Sequence, residues 1–532
     1  FINFIYPMVA VRHILVFLGI VIPCHFFNAQ INQFQITFGN NQSNWGNAIP
    51  TSDGGYLVVS EDSAFTALRD IMLIKTDTIG DTVWVRRYGN AGNTDDTWDR
   101  ILEAHNGGYI LWGALNTNTT SSISVWIRVD SNGDTVWVKR DLFGNGDFIK
   151  TGDGGYASVG TSMLKSDSSG NIQWAKLYNG AAGFSFGQQT MDGGYIILSN
   201  TAQFASGGPL DRDLVLIRTD SAGTIIWSRV YGRPNTIDDA AKVVQSTDGG
   251  FAILATTGTL SQNQTNELLV IKTDASGNLQ WSKTYGGPNY DQAIDMKVTG
   301  AIGYIVTGYT LGFEGPVQNS TRSFLLRIDG NGNALWSKMY GDMATNNINS
   351  HDYAAYVKYT NDGGFLMAGS TESFGSGQLD TWLVKTNAMG VSGCNEIANF
   401  PTVLIPTLVV DTPGITDSAV FYTSMPYTIN VGSWQPARTI LCLNGFIPSN
   451  GIDEEDKDGF LLYPNPGTGI FTLSSEQIIE EVIVVDILGK ELIRLPAGSS
   501  SLEIDISNRP PGIYFLQIGT ENGTLSRKII KL

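Results

Sequence analysis

Histidine is scarce: the 532-residue chain has four, and two of these, His13 and His25, fall in its first 29 residues. With only His105 and His351 beyond them, a histidine-rich zinc site is excluded, and a Ser-His-Asp triad has two candidate bases at most. His105 occupies a tight turn where other copies of the same phrase carry Ser52, Gly152 or Met191, which marks it as a solvated turn residue. His351, next to Asp352, is the more interesting of the two, although a surface role is its plain reading. Basic residues are also short, 33 against 50 acidic ones, for a net charge of -17. Such a surface repels nucleic-acid phosphates and anionic lipid, so neither is expected as a partner.

Long apolar runs are missing as well. The one conspicuous stretch, Ile14 to Ile22 behind Arg12, has nine residues, too few to span a bilayer. It reads as the apolar part of an export leader, residues 1–29, with Met8 as its start and cleavage after Ala29. No transmembrane segment is expected in the mature chain. Cysteine is limited to three residues; Cys24 lies in the leader, so Cys394 and Cys442 remain. In an exported chain an isolated pair reads as a disulfide, which over a 48-residue loop contributes roughly 4 kcal/mol.

What is abundant is glycine, 61 residues, alongside 12 tryptophans and 42% hydrophobic residues, the composition of a turn-rich globular protein. The glycines are ordered. Seven turns pace the first 390 residues: Asp53-Gly54-Gly55-Tyr56, Asn106-Gly107-Gly108-Tyr109, Asp153-Gly154-Gly155-Tyr156, Asp192-Gly193-Gly194-Tyr195, Asp248-Gly249-Gly250-Phe251, a degraded Gly303-Tyr304, and Asp362-Gly363-Gly364-Phe365. A fixed-period repeat of this kind stacks units that cannot bury their apolar faces alone. Between the turns runs a second phrase, such as Lys75-Thr76-Asp77 or Lys272-Thr273-Asp274, followed three residues later by a glycine (Gly80, Gly277) free to take positive φ in a hairpin. Six copies then reach Trp84, Trp137, Trp174, Trp227, Trp281 or Trp336. In the fifth unit the pattern gives strands a to d at Lys242 to Ser246, Phe251 to Ala255, Leu268 to Thr273 and Leu279 to Tyr285.

Four short strands per unit with a periodic tryptophan specify an all-β chain and a β-propeller. The seventh unit stops after strand c, at Lys385-Thr386-Asn387, while Phe34 to Gly39 aligns with Trp281 to Gly286. The N-terminal segment therefore supplies the missing outer strand, closing a seven-bladed β-propeller over residues 30–393. The phrase Asp-x-x-Gly-x-x-x-Trp resembles the repeat of quinoprotein-like propellers. That resemblance covers a dozen residues per unit and implies a fold only; the cysteine pair of those cofactor sites has no counterpart here, and no cofactor or metal is expected.

The a–b and c–d turns are tight and share one face, while the b–c and d–a connections are long and share the other, where a ligand is expected. Two acidic sets recur there: Asp70, Asp213, Glu267 and Asp380, and Asp95, Asp238, Asp291 and Asp352. They form either a carboxylate-rich mouth for a cation or sugar hydroxyls, or caps for strand ends. Their periodicity favours caps. In the third unit both connections shrink, at Gly144 to Asp147 and Gly160-Thr161, leaving a notch in that rim.

Beyond the ring, residues 394–445 read as a disulfide-closed β appendage and 446–459 as an acidic linker. The linker faintly matches a calcium loop, but its twelfth position is Asn465 rather than Glu. Residues 460–532 read as a small C-terminal β-sandwich of about seven short strands. They carry Tyr463-Pro464-Asn465-Pro466, Val484 to Lys490, Gly512 and Tyr514, and a basic end with Lys528 and Lys531. In these residues the segment resembles the C-terminal sorting domain of the type IX secretion system of Bacteroidota. The resemblance implies the secretion machinery as a partner, and a secreted or cell-surface location reached through the periplasm.

The function expected is a binding propeller for a glycan or protein ligand, without catalysis. The alternative is a secreted polysaccharide-degrading enzyme of glycoside hydrolase type, which needs two carboxylates about 5 to 9.5 Å apart, one with a raised pKa. Its non-periodic candidates are Glu61, Asp62, Glu314 and Glu372.

Overall fold

The computed structural model describes residues 33–39, 46–62, 70–89, 97–116, 122–141, 146–203, 211–259, 266–300, 303–312, 320–342, 350–375, 379–420, 425–426, 430–432, 437–443, 460–463, 469–486, 490–510, 512–520 and 523–531. The expected leader, the linker and Asp95 lie outside them. All regular structure among the described residues is β, so no helix there could cross a membrane. The chain divides into two compact units, Phe1–Ser449 and Asn450–Leu532.

Among the described residues the first unit holds seven five-stranded antiparallel sheets. Six contain the expected a-b-c-d meander; the fifth, for example, runs Thr236–Gln245, Phe251–Thr259, Asn266–Thr273, Leu279–Gly286. Strand a there starts at Thr236 rather than Lys242, because the polar residues beyond the apolar run still pair in the ladder. In the seventh sheet Asp352–Tyr359, Phe365–Thr371 and Asp380–Thr386 are completed by Phe34–Gly39, with Phe34 opposite Lys385 and Phe38 opposite Thr381. The N-terminal strand thus pairs with the seventh unit, as its sequence register demands.

It is not the outermost strand, however, and the segment after it in the sheet corrects another expectation. Residues 396–443 do not form a separate appendage. They run from sheet to sheet and lay one short strand on each strand d: Glu396–Ala398 on the sixth, Thr402–Leu404 on the fifth, Val409–Asp411 on the fourth, Thr416–Val420 on the third, Met425–Pro426 on the second and Asn430–Gly432 on the first. Ala437–Leu443 ends the series on Phe34–Gly39. Strands of two to seven residues cannot hold a sheet of their own, but a free strand edge offers each a ready ladder. Ion pairs pin the belt, among them Lys338–Glu396 at 2.9 Å, Lys176–Asp417 at 2.6 Å and Arg438–Asp81 at 2.7 Å. Cys394 and Cys442, at its two ends, form the disulfide, with Cα atoms 6.1 Å apart.

One joint recurs between neighbouring sheets. The glycine of each c–d hairpin has positive φ, between 72° and 83°, and the face where a Cβ would stand is filled by the tryptophan of the preceding sheet. Trp84 lies on Gly133, Trp137 on Gly170, Trp174 on Gly223, Trp227 on Gly277, Trp281 on Gly332 and Trp336 on Gly390. Phe34 and Ile36 of the seventh sheet take the same place over Gly80 of the first. In five of the seven joints a tyrosine four residues after the tryptophan donates its hydroxyl to that glycine's carbonyl, as Tyr88 does to Gly133 at 2.5 Å, Tyr178 to Gly223 at 2.7 Å and Tyr285 to Gly332 at 2.6 Å. These tyrosines are fully buried, and each contributes about 1.5–3 kcal/mol of burial while its one polar atom stays bonded.

The second unit is one sheet around Ile470–Val485, a 16-residue strand that pairs with Phe460–Tyr463, Glu491–Asp505 and Gly512–Thr520, the last also pairing with Gly523–Lys531. Among the described residues five strands stand where about seven are expected, because two long ones stay continuous through bulges between Ser474 and Glu481 instead of breaking at turns. Residues from both halves, Phe471 and Leu473 with Val482, Leu516 and Ile529, share one core, as in a folded-over sandwich.

The joint and the belt each generate an expected outcome. Gly249 (φ 83°) and Gly277 (φ 78°) have nearly the same backbone, but a Cβ at Gly249 meets nothing within 4 Å and one at Gly277 comes 2.9 Å from Trp227. Gly249→Ala should cost about 1–2 kcal/mol from the left-handed backbone alone, and Gly277→Ala at least twice that, by urea unfolding; equal losses would mean that the joint is loose. Reducing and alkylating the disulfide should lower unfolding stability by about 4 kcal/mol, the entropy of a 48-residue loop, with a non-reducing peptide map confirming the bridge.

Candidate functional site

The compact ends of the sheets are occupied by their own fastenings. Asp53 accepts hydrogen bonds from Thr51 Oγ1 (2.5 Å) and Gly55 N (3.1 Å) and pairs with Lys75 at 2.9 Å. Lys165–Asp153, Lys272–Asp248 and Lys385–Asp362 repeat this at 2.8 Å, and Arg218–Asp192 at 2.5 Å. Burial works against the Asp153 carboxylate, but hydrogen bonds from Lys165, Thr151 and Gly155 prevail and hold it down at about 2. The two repeated phrases are thus clamped to each other, with little left to offer a ligand.

At the other end, Asp70, Asp213, Glu267 and Asp380 each stand against the glycine that ends strand d. A Cβ on Gly89, Gly232 or Gly39 would run into Asp70, Asp213 or Asp380, and one on Gly286 would come 2.9 Å from Glu267. Asp213 and Asp380 are buried, and Asp70 pairs with Arg87 at 2.5 Å. In the second set, Asp238, Asp291 and Asp352 are fully buried and each accepts from the threonine 19 residues on, Thr257, Thr310 or Thr371. Asp352 also accepts from Ser373 Oγ at 2.7 Å and lies 3.5 Å from Arg322. Burial pushes all three carboxyls up, Asp291 to about 7, where Glu267 adds like-charge repulsion and bonds from Thr310 and Gly287 only partly compensate. These acids are engaged by groups of their own sheets.

What converges lies at the centre. The inner strands touch in sequence, first sheet to second and on to the seventh, which touches the first. The residue nine positions before each turn aromatic occupies one register level in all seven: Asn47, Arg100, Asp147, Phe186, Lys242, Asp295 and Tyr356. In five of these strands a shift in register directly precedes it. Asp147 takes Lys242 at 2.5 Å, Arg100 at 3.4 Å and the Gly187 amide at 3.1 Å. Arg100 also donates to the Tyr356 hydroxyl at 2.7 Å. Asp295 takes Lys297 at 2.6 Å and the Val357 amide at 3.1 Å. Burial pushes the Lys297 ammonium down to about 7, against the pull of Asp295 and with the push of Lys242 and Lys358. Asp147 stays ionised despite its burial, because Lys242 and Arg100 outweigh it.

Beside this cluster a cavity of about 580 Å³ opens between inner strands, walled by Arg100, Gln292, Tyr309, Tyr353, Tyr356 and Glu372 among others. Tyr309 meets Tyr353 edge-on at 5.0 Å, and Tyr290 stacks on Tyr309 at 6.3 Å. Glu372 accepts from the His351 amide at 3.0 Å, and the His351 ring stacks on Tyr353 at 5.8 Å. His105 packs at its turn against Tyr156. Glu314 and the side chains of Glu61 and Asp62 lie outside the described residues. Sequence reading missed the central charges because it aligned units on their turns and sought what repeats.

In the second unit Tyr514 is buried and donates its hydroxyl to Pro510 O at 2.7 Å. Lys531, also buried, donates to Ser507 O at 2.7 Å and to Arg509 O. Tyr463 pairs with Thr472, Gly512 with Lys531 and Lys528 with Phe515; Pro464, Asn465 and Pro466 lie outside the described residues.

Residues 461–532 match the family described as the secretion system C-terminal sorting domain. A tail of this kind implies a contact with the type IX secretion machinery and export to the cell surface or the extracellular space. No curated protein matches the chain. Among solved structures it is similar to a protein of unknown function from Dyadobacter fermentans, at 10% identity and TM-score 0.37 over 67% of this chain and 99% of that one. It is also similar to PorZ, a surface component of the type IX secretion system of Porphyromonas gingivalis, at 10% identity and TM-score 0.28 over 91% and 74% of the two chains. Likeness at that level carries no argument about fold or function.

The Asp291 environment has a measurable consequence. Its folded pKa of about 7 lies above the ordinary 3.8, so the stability it contributes is fully present below about pH 4 and is lost as pH rises through 7. A carbon-13 carboxyl titration should find a midpoint near 7, and Glu267→Gln should move it down by removing the like charge.

Proposed function

We propose that the first unit is a closed seven-bladed β-propeller, girdled by residues 396–443, that is exported by its sorting tail and works outside the cell as a binding protein for a glycan or protein ligand. Closure is supported by the joint, which passes from each sheet to the next and, through Phe34 and Ile36 over Gly80, from the last to the first. The observation that carries the binding reading is the central cavity, whose tyrosines, Arg100, Gln292 and Glu372 do not repeat from unit to unit, whereas everything repeated is engaged in holding the fold.

A glycoside hydrolase reading receives less support. Glu267 and Asp291 come near each other with the pKa of Asp291 raised, but Asp291 is fully buried and out of a substrate's reach.

Export is testable by truncation and transfer. A chain ending after Gly451 should fold, keep its disulfide and remain in the periplasm of a host with this secretion system. Residues 446–532 fused to an unrelated periplasmic reporter should carry it to the cell surface, with fractionation as the readout. Normal secretion of the truncated chain, or a periplasmic reporter, would overturn the assignment. For ligand binding, a glycan array probed with the full chain is the direct experiment.

A further inference from the structure

The cavity has a floor. Strand a of each sheet runs from the long connections toward the tight a–b turn, and at one level of it bonds pass between sheets that are not neighbours. Lys242 of the fifth sheet reaches Asp147 of the third at 2.5 Å, and Arg100 of the second donates to Tyr356 of the seventh at 2.7 Å. Arg100 also lies 3.4 Å from Asp147, so one chain of contacts joins four sheets across the middle of the ring. Two members of that chain, Arg100 and Tyr356, line the cavity. Ala241, Ile294 and Ala355 line it from the long-connection side, each one residue before the bonded level on its strand, and Glu372 stands just past the end of strand b on the same side. Each of the three is the extra residue of a bulge with no partner in strand b, and bulges turn side chains out of the ladder.

The wall is also balanced. Arg100 is held by Asp147 and Tyr356, and Glu372 accepts from the His351 amide. Gln292 donates to Thr256 Oγ1 at 2.9 Å and accepts from the Tyr290 hydroxyl at 2.6 Å. A guanidinium in the wall opposes a cationic ligand, and a carboxylate in the same wall opposes an anionic one.

Resting on the closed ring and the binding reading above, we propose that this cavity is blind and takes the end of a neutral glycan chain, with the rest of the chain leading out past the long connections. A channel open at both ends would pass an internal segment; a pocket floored by Arg100 and Tyr356 stops the chain. At about 580 Å³ it has room for roughly two sugar rings. Sugar rings bring apolar faces to Tyr309 and Tyr353, and hydroxyls to Glu372, whose carboxylate accepts from them without a counter-charge. A peptide end is disfavoured, since its ammonium meets the like charge of Arg100 and its carboxylate that of Glu372.

The test probes an array of neutral, acidic and amino glycans with the full chain, then titrates each captured glycan by calorimetry as free oligosaccharides of increasing length. The captured glycans should be neutral and share a terminal sugar whatever follows it, with one protein bound per oligosaccharide at every length. Ala355→Leu, which adds bulk to the wall at a residue outside the ladder, should weaken binding at least about tenfold with thermal unfolding little changed. Tyr353→Ala, which removes a stacking surface, serves as the second variant and should weaken it about as much. Capture of acidic or amino glycans in place of neutral ones, recognition of an internal sequence, or protein bound in proportion to chain length overturns the inference; if the two variants still abolish that capture, the binding reading stands. Capture untouched by both variants places the glycan elsewhere and overturns the inference. An empty array overturns it too, and leaves a protein ligand as the remaining form of the binding reading.

Discussion

Everything in the first unit depends on a large apolar side chain packed where a glycine of the next sheet has no Cβ. A twisted sheet has two faces to bury, and a tryptophan in six units, Phe34 with Ile36 in the seventh, fills the wedge between neighbours only where a hairpin has no Cβ. The same glycine needs positive φ to make the hairpin and leaves its carbonyl for the tyrosine hydroxyl. Turn, packing and polar satisfaction therefore rest on one residue type at one place. The basic residue two positions after the tryptophan lies over the indole in several units, as with Arg229 on Trp227 at 5.6 Å, covering its solvent edge.

This explains how much was legible in the sequence. Asp-Gly-Gly-Tyr and the Lys-Thr-Asp phrase are local requirements repeated seven times, so the units, their order and the role of Phe34 to Gly39 could be read directly. The belt could not. A strand such as Thr402–Leu404 has no alternation long enough to show a period; its conformation comes from the edge it covers. Its side chains are largely exposed, with Leu404 at 54%, so no hydrophobic pattern marks it either.

The candidate site was hidden for the opposite reason. The acids that recur from unit to unit are engaged with threonines, arginines and glycines of their own sheets. The position from which Arg100, Phe186 and Tyr356 line the cavity reads Asn, Arg, Asp, Phe, Lys, Asp, Tyr around the seven sheets, varied in chemistry at a constant backbone register. A scan nine residues upstream of each turn aromatic would have found it without any structure, because seven inner strands converge while their chemistry diverges.

The belt also changes what a cut in the chain means. Between Cys394 and Cys442 the polypeptide passes along all seven sheets, much of it at the surface, where a protease outside the cell would meet it. With the bridge closed, one break anywhere in that stretch yields two polypeptides but still one molecule, joined by sulfur and by the ladder pairs on either side of the nick. The sorting tail, which follows Cys442, therefore remains covalently tethered to the sheets it must carry even after the chain is nicked.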